Sequence, residues 1–427
     1  SGMALARVVA SLARPQPFGR EFIMKFGGLR PDRPLAHCAF GRQCCVLPLW
    51  PPRWRVLPAE GGRLLWLSVP ESSRQIGHIA HFVCDPARRL WLGALLKVDS
   101  LLPRAHALPE MEMPRNMRRG LCFEVPVAGA RPSVIETGAA GPMQRASAIF
   151  TTVEGEAVAY AKVARVPSAD EVIRAEAAWL RRLTGVADLS GRVPQLLDEG
   201  TTLNGRCYFV TRIAPTTRSS LKFSAAHVGF LAALGRTHVE SRKFSASPVL
   251  QRLEGMLARL DLCVDRAAVF VLKDALRDCA RGLAGVEVPA VVAHGDFTPS
   301  NMRRDRGSLF VFDWEQAHAG ANPLSDLLHF LLAPLAAMRH DLLPRALWAT
   351  VRSARARALL LYPEWHWTDS AVASLALAYL IESVARRVLA HRCLDMSDPL
   401  ARNYWRLLET RAGWLPFRPG ALRCTVA

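Results

Sequence analysis

The sequence predicts an α+β fold, in which a small, mostly antiparallel sheet with one helix precedes a larger helical half. Short apolar runs separated by turn signals fill residues 131–215, whereas apolar positions at helical spacing dominate residues 216–420. Ahead of both, residues 3–125 are rich in Pro, Trp and Arg. We expect an additional N-terminal α/β region there, with an accessory role that its pattern does not specify.

The small sheet is predicted from short apolar runs that are separated by turn residues. Three strand-like runs between 131 and 166 are separated by a Gly-containing turn and by a tight turn at Glu154-Gly155-Glu156. The stretch "ADEVIRAEAAWLRRLTG" begins with acids and ends with Arg before Gly185, which is typical of a helix. Two further runs flank Asn204-Gly205, a strong hairpin signal.

The helical half contains one exception and one very apolar segment. "VVAHGDFTPSNMRRDRGSLFVFDWEQ" (291–316) is a short strand-like insert among helices. The segment 371–389 is strongly apolar but includes Glu382, Arg386 and Arg387, which favours a buried helix with a polar edge over a membrane span.

The chain is basic, with 55 Lys and Arg against 37 Asp and Glu and a formal net charge of +18. An Arg-rich surface suits phosphates, anionic glycans or anionic lipid headgroups, although a solvated basic surface explains it equally well. No compact basic block with interleaved aromatic residues is present, so nucleic acid is not an expected partner. We expect a cytoplasmic protein capable of peripheral contact with an anionic membrane, and its oligomeric state is left open.

The 291–316 insert carries the chemistry. His294-Gly295-Asp296 is followed five positions later by Asn301, and the apolar run "SLFVF" ends at Asp313. An Asp and an Asn at this spacing form the skeleton of a phosphoryl-transfer loop, in which the Asp accepts the proton of the substrate hydroxyl. An amide oxygen and a carboxylate are ligands that Mg²⁺ prefers when it bridges nucleotide phosphates.

"HGDFTPSN", "FVFDWE" and the downstream "GANPLSDLLHF" resemble the signature of the aminoglycoside phosphotransferase and choline kinase superfamily, from residue 131 to the C-terminal helices. The resemblance implies a protein-kinase-like bilobal fold, with a nucleotide-binding N-lobe over 131–215 and a helical C-lobe over 216–420 that holds the acceptor. It also implies that Asp296 is the catalytic residue, that Asn301 and Asp313 bind the metal, and that Asp326 anchors the catalytic loop.

The same resemblance assigns the nucleotide-binding residues. Gly138 and Gly141 in "TGAAGP" would let backbone N–H groups approach the phosphates of ATP, although the segment departs from the full G-x-G-x-x-G form and an ordinary turn is an alternative. Lys162 in "VAYAKVAR" resembles the phosphate-binding Lys of kinases, with Glu176 as its ion-pair partner. A surface Lys and a surface Glu are the competing interpretation, since Glu171 lies in the same predicted helix.

The predicted function is an ATP- and Mg²⁺-dependent phosphotransferase acting on a small-molecule hydroxyl group. The run "VLPLWPPRWRVLPAEGGRLLWLSVP", followed later by "TGAAGPMQRASAIFTTVEGEAVAYAKVA", resembles bacterial phosphotransferase-like proteins associated with surface-polysaccharide synthesis, which favours a sugar or glycan-related acceptor. An aminoglycoside or amino-alcohol kinase is an alternative. So is a nucleotide-binding scaffold without turnover, a pseudokinase whose basic N-terminal region binds a partner or an anionic membrane.

Five other residues are candidates for the acceptor cleft, although core or solvated surface is the favoured interpretation for each. They are His318, Trp365, Trp367, Arg386 and Arg387.

Overall fold

The structure is a computed structural model of the 427-residue chain. It describes residues 54–58, 64–67, 110–111, 121, 123, 125–138, 141, 143–214, 222–260, 266–305, 307–338, 342 and 344–415. The chain divides into Ser1–Gln43 and a second compact unit, Cys44–Ala427, which contains all of the described residues.

The small lobe is built on one antiparallel sheet. Among the described residues its strands lie in the order β3-β1-β2-β4-β5-β6-β8-β7. The strands are β1 (Trp54–Pro58), β2 (Leu64–Leu67), β3 (Glu110–Met111), β4 (Arg131–Thr137), β5 (Arg145–Thr151), β6 (Ala157–Ala164), β7 (Leu196–Thr201) and β8 (Cys207–Arg212).

The sheet extends into the predicted N-terminal region. Strand β2 pairs along β4, with Leu64 opposite Thr137 and Leu67 opposite Val134, and β1 and β3 continue the sheet outward. In this region, therefore, the described residues contribute strands to the same sheet. The helices predicted there fall outside the described residues.

One helix, α1 (Asp170–Thr184), crosses the small lobe between β6 and β7. Its buried positions follow a helical repeat that includes Ile173, Glu176, Ala177 and Leu180, so Glu176 lies on the apolar face, whereas Glu171 is exposed. Both carboxylate oxygens of Asp170 are used at its start: the N–H of Cys207 donates to Oδ1 at 2.7 Å, and Arg206 binds Oδ2 at 2.6 Å. These contacts fix the first turn of α1 to β8.

The large lobe is mainly helical, and its strands carry the 291–316 insert. The helices are α2 (Ala225–Arg236), α3 (Pro248–Leu260), α4 (Arg266–Gly282), α5 (Ser325–Met338), α6 (Pro344–Leu361), α7 (Asp369–His391) and α8 (Pro399–Glu409). The strands are β9 (Glu240–Lys243), β10 (Glu287–Ala293), β11 (Met302–Asp305), β12 (Ser308–Val311) and β13 (His318–Ala321), with β10 pairing between β9 and β13 and β11 pairing with β12.

Among the residues that the structure describes, one large apolar cluster joins the two lobes. Ile173 and Leu180 of α1 belong to the same buried cluster as Phe297, Trp314 and the helices of the large lobe. A second, smaller cluster covers the sheet around Phe150 and Val210. Because α1 packs into the core of the large lobe, the orientation of Glu176 is set by both lobes.

The predicted fold class is confirmed: an antiparallel sheet with one helix precedes a larger helical lobe. The apolar segment 371–389 lies within α7, almost entirely buried, with Arg386 and Arg387 on its partly exposed edge. None of the described helices combines the length and the hydropathy that a bilayer span requires.

Candidate active site

The loop after β10 (residues 294–301) is held by a carboxylate from the start of α5. Asp326 is buried, and it accepts hydrogen bonds from the backbone N–H of His294 at 2.7 Å and from that of Gly295 at 2.9 Å. Because each carboxylate oxygen of Asp326 accepts one backbone N–H, the loop backbone at these two residues is held in one conformation. This is the anchoring contact expected from the sequence.

His294 and Gly295 are each required by local geometry. His294 is fully buried; its Nδ1 accepts from the N–H of Asp296 at 3.2 Å, so its Nε2 carries the proton and donates to the carbonyl of Phe312 at 3.0 Å. Gly295 has φ +83°, and a Cβ at this position would collide with the carbonyl oxygen of Gln316. A side chain at 295 would therefore move the loop away from the segment that follows β12.

Asp296 presents a fixed carboxylate to the cleft, with 43% of its side chain exposed. Asn301 Nδ2 donates to Oδ2 at 2.8 Å, and His329 Nε2 lies 3.0 Å from Oδ1. Burial by itself would raise the pKa of Asp296, but hydrogen bonds from His329 and Asn301 and the electrostatic influence of the neighbouring His329 and His294 rings lower it to about 2. The carboxylate is therefore ionised at neutral pH.

The β11–β12 hairpin brings Asn301 and Asp313 together. The two residues lie at the open end of the hairpin, where the N–H of Phe312 donates to the carbonyl of Asn301 at 3.1 Å. Asp313 has φ 71° and ψ 63°, a left-handed conformation that is uncommon outside Gly and that concentrates at functional sites. Its side chain is 32% exposed, so it is accessible from the cleft.

Lys162 on β6 reaches the same point from the small lobe. Its Nζ lies 2.9 and 3.1 Å from the two oxygens of Glu176, and it also pairs with Asp313. Burial opposes the charged form of Lys162, but the carboxylates of Glu176 and Asp313 outweigh burial and raise the pKa of its ammonium group above the usual range. Lys162 is buried and protonated, which excludes the interpretation of a surface Lys.

Glu176 links the lobes at this cluster. Its Oε1 also accepts from the backbone N–H of Trp314, one residue after Asp313, at 3.2 Å. The left-handed turn at Asp313 is thereby tied to α1. Because Glu176 is 2% exposed and Glu171 is exposed, the structure decides between the two acids of the helix.

Two neighbouring residues were not named by sequence reasoning. Glu315 lies 3.5 Å from Lys162 and pairs with Arg145 at the start of β5. Glu176, Asp313 and Glu315 each offer an oxygen within 4.8 Å of the others. The signal for Glu315 was present as the last letter of "FVFDWE", whereas nothing in the sequence around Arg145 marks it.

The predicted phosphate loop is described only in part. The N–H of Gly138 donates to the carbonyl of Arg145 at 2.7 Å, and a Cβ at 138 would lie 2.7 Å from that oxygen, so the close approach of β4 and β5 requires glycine. Gly141 lies in an exposed turn where a Cβ would meet nothing within 4 Å. Gly138 is thus hydrogen-bonded to Arg145, which pairs with Glu315, whereas the carbonyl of Gly141 accepts from the N–H of Gln144 at 3.2 Å.

The acceptor-cleft candidates separate into two groups. Arg386 donates to the carbonyl of Gly295 at 2.8 Å, next to Asp296, and pairs with the buried Glu382 at 3.0 Å. His318 and Arg252 contact the same Glu382 oxygen at 3.1 and 3.2 Å.

The other acceptor-cleft candidates belong to the apolar core or to an ion pair at the surface. Trp367 is buried and donates to the carbonyl of Tyr362 at 2.9 Å, Trp365 packs against the main core, and Arg387 lies 3.5 Å from Asp398. Core or surface was the favoured interpretation for these three residues.

A continuous set of contacts therefore joins five of the predicted site residues. Lys162 pairs with Glu176 and Asp313, the hairpin end holds Asp313 beside Asn301, and Asn301 binds Asp296. The result is a buried cation and several oxygen donors from both lobes beside one fixed, accessible carboxylate. Such an arrangement can bind a phosphorylated ligand with a cation and orient a hydroxyl group.

Replacing Asp326 with Asn should destabilise the protein by about 1–3 kcal/mol, because one loop N–H would face an amide NH₂ in place of an acceptor. The free energy of chemical unfolding measures this change. Asp188→Asn is the matched control, since its ion pair with Arg236 is well exposed and such pairs contribute about 0.2–1 kcal/mol. Equal effects of the two substitutions would contradict the anchoring role.

A model of the phosphotransferase enzyme family matches residues 145–370. No curated protein matches the chain significantly.

Three solved structures illustrate the structural similarity. A thermostable mutant of aminoglycoside phosphotransferase APH(4)-Ia in its apo form is 15% identical, with 66% of this chain and 96% of that chain covered and a TM-score of 0.44. ADP-bound aminoglycoside phosphotransferase APH(2'')-Ib is 15% identical, with 70% and 98% covered and a TM-score of 0.43. Amicoumacin kinase hAmiN in complex with AMP-PNP, Ca²⁺ and Ami is 14% identical, with 66% and 90% covered and a TM-score of 0.41.

The match to the family model identifies the family of this chain. The matched segment runs from β5 into the start of α7 and contains Lys162, Glu176, Asp296, Asn301 and Asp313. It spans more than half of the chain, and it confirms the resemblance drawn from the motifs. The chain belongs to the phosphotransferase enzyme family.

Proposed function

We propose that this protein transfers the γ-phosphoryl group of ATP to a hydroxyl group of a small molecule in a Mg²⁺-dependent reaction, and that the acceptor is a sugar or a glycan-related molecule. The observation that carries the proposal is the accessible Asp296 carboxylate, fixed through both oxygens and connected through Asn301 to the Lys162–Asp313 pair. We place the reaction in the cytoplasm, where ATP is available.

Asp296 is the catalytic residue of this proposal. It accepts a hydrogen bond from the acceptor hydroxyl and takes its proton as the new O–P bond forms and the bond from the γ-phosphorus to the bridging oxygen breaks, releasing ADP. A carboxylate with a pKa of about 2 is a weak base. It suits a loose transition state, in which orientation of the hydroxyl matters more than early proton removal.

Residues 131–215 form the nucleotide-binding lobe in this proposal, and Lys162 supplies its cation. Glu176 keeps the ammonium group in place while Lys162 exchanges its contact with Asp313 for phosphate oxygens. The glycine at 138 lets the backbone between β4 and β5 lie close to the phosphates. Arg145, paired with Glu315 beside this loop, adds positive charge at the same edge.

Asn301 and Asp313 would hold Mg²⁺, and their chemistry fits this ion. The Asn301 side chain donates through Nδ2 to Asp296, so its Oδ1 is the atom available to a cation. Asp313 and Glu315 add carboxylate oxygens, which are hard ligands of the kind Mg²⁺ requires. A bound Mg²⁺ would neutralise charge on the nucleotide phosphates during transfer.

The acceptor class is argued from charge on the helical lobe, residues 216–420. Arg386 lies against the catalytic loop, and the nearby buried acid, Glu382, already contacts Arg252, Arg386 and His318. A polycationic acceptor needs carboxylates that are free to pair with it. Glu382 already has basic partners, and the chain has a net charge of +18. Both facts favour a neutral or anionic acceptor such as a sugar.

The first test is ADP release by the full-length protein with Mg·ATP against sugars, glycan fragments, amino alcohols and aminoglycosides. We expect sugars or glycan fragments to stimulate release, and we expect Asp296→Asn to lower kcat by about 10²–10⁴-fold because the proton acceptor is lost. The exposed Asp188→Asn serves as the matched control. Stimulation by aminoglycosides alone would overturn the acceptor class, and ATP binding without stimulation by any acceptor would favour the scaffold alternative.

Removing the cation of Lys162 should weaken nucleotide binding. One lost charge-assisted contact of about 1.5–3 kcal/mol corresponds to roughly a 10- to 100-fold higher Kd for a fluorescent ATP analogue. Because Lys162→Met alone would leave Glu176 buried and unpaired, the informative variant is the double substitution Lys162→Met, Glu176→Gln. Its control is Lys243→Met on the exposed β9, and equal affinities in the two proteins would contradict the role of Lys162.

The metal assignment is tested with Mn²⁺, whose binding in the presence of the nucleotide is followed by electron paramagnetic resonance. Asp313→Asn should weaken Mn²⁺ binding by about tenfold or more, the effect of losing at least 1.4 kcal/mol. Glu315→Gln in parallel reports whether that residue is a ligand or only the partner of Arg145. Unchanged Mn²⁺ affinity in Asp313→Asn would refute the assignment of the site.

A further inference from the structure

A chain of polar side chains runs from Asp296 into the interior of the helical lobe. His329 Nε2 lies 3.0 Å from Asp296 Oδ1, and its Nδ1 lies 2.9 Å from the hydroxyl of Tyr379 on α7. The Tyr379 hydroxyl lies 2.8 Å from that of Tyr404 on α8. Both tyrosines are buried, and the His329 side chain is 12% exposed.

The donor and acceptor of each hydrogen bond in this chain follow from the Asp296 carboxylate. An ionised Asp296 only accepts, so His329 carries a proton on Nε2. An imidazole that carries its proton on Nε2 alone accepts at Nδ1 from the Tyr379 hydroxyl, 2.9 Å away. When Tyr379 donates to His329, its oxygen is left to accept from the Tyr404 hydroxyl, 2.8 Å away. Burial raises the pKa of Tyr379 to about 12, which keeps its proton in place.

Helix α5 thereby holds both the backbone of the catalytic loop and the side chain of Asp296. Asp326 binds the backbone of His294 and Gly295, and His329, three residues later on the same helix, binds the side chain of Asp296. Asn301 holds the other oxygen of the same carboxylate. The plane of the carboxylate is therefore fixed from both sides, while each oxygen keeps a second lone pair for the acceptor hydroxyl.

We propose that His329 is a positioning residue for phosphoryl transfer: through its Nε2–H it sets the orientation of the Asp296 carboxylate, and Tyr379 and Tyr404 lock the tautomer that makes this possible. The inference rests on the proposed function, since it assigns His329 a role in that reaction. A group that positions the base acts on the transfer step and not on nucleotide binding.

The kinetic test compares four full-length variants with the unsubstituted protein, using the acceptor that stimulates ADP release. His329→Ala should lower kcat roughly 100-fold, the scale on which a misplaced catalytic group acts, with the acceptor KM and the Kd for ATP changed by no more than about twofold. His329→Gln, whose amide can donate to Asp296, should recover part of kcat. Tyr379→Phe should lower kcat less than His329→Ala, and the exposed His366→Gln should leave it unchanged.

A second readout does not depend on turnover. Long-range ¹H–¹⁵N spectra of protein labelled at histidine, assigned by loss of a signal in His329→Gln, should show His329 in the Nε2–H tautomer. Tyr379→Phe should convert this signal to a mixture of tautomers. Thermal melting of each variant shows whether it is folded, and a folded His329→Gln keeps the comparison valid if His329→Ala is unstable.

The outcomes separate the two proposals. Turnover that is unchanged in a folded His329→Ala, or a wild-type His329 in the Nδ1–H tautomer, would overturn the inference and leave the proposed function standing. Absence of acceptor-stimulated ADP release by the unsubstituted protein would overturn both. A loss of kcat with recovery in His329→Gln and an Nε2–H signal would support the positioning role.

Discussion

The site depends on one buried carboxylate, that of Glu176. It receives Lys162 from the sheet and the N–H of Trp314 from the segment after β12, so it joins a strand, a helix and a loop of the other lobe. A buried ion pair contributes little net stability compared with apolar packing, but loss of one partner is costly because the other charge remains buried. The function of this pair is therefore geometric. It fixes where a cation and the turn at Asp313 lie relative to each other.

A second constraint comes from α5. The first turn of this helix uses Asp326 to fix the backbone of the loop at His294 and Gly295, and the next turn places His329 against Asp296. The Asp296 carboxylate is consequently held by a helix packed in the core of the large lobe and not only by the loop that carries it. Rigid support of this kind lets a half-exposed carboxylate keep one orientation in a cleft open to water.

The sequence predicted the parts of this molecule that depend on local spacing. The alternation of apolar runs and turn residues located strands β4 to β8. The sequence spacing of Asp296, Asn301 and Asp313 predicted residues that lie close together in the structure. Their separation is set locally, because one short loop and one hairpin connect them. Helical periodicity could have selected Glu176 over Glu171, since only position 176 falls on the apolar face of α1.

Contacts between distant segments were not predictable in the same way. His329 was visible in "DLLHF", but its approach to Asp296 depends on how α5 packs against the loop, and no local pattern records that packing. The pairing of Arg145 with Glu315 spans 170 positions and crosses between the lobes. The addition of β1 to β3 to the sheet likewise depends on strand pairing across a long intervening segment.

The extension of the sheet beyond β4 has a consequence for how the protein can be divided. The family match begins at residue 145, yet β5 is covered along its length by β4, which in turn is covered by β2. A fragment cut at the family boundaries would expose the backbone groups of β5 as an unpaired edge, a template for aggregation. At the other end, residue 370 is only the second residue of α7, so the cut would also discard Tyr379, Glu382 and Arg386. The segment by which this protein is recognised is therefore smaller than the segment that can fold around its active site.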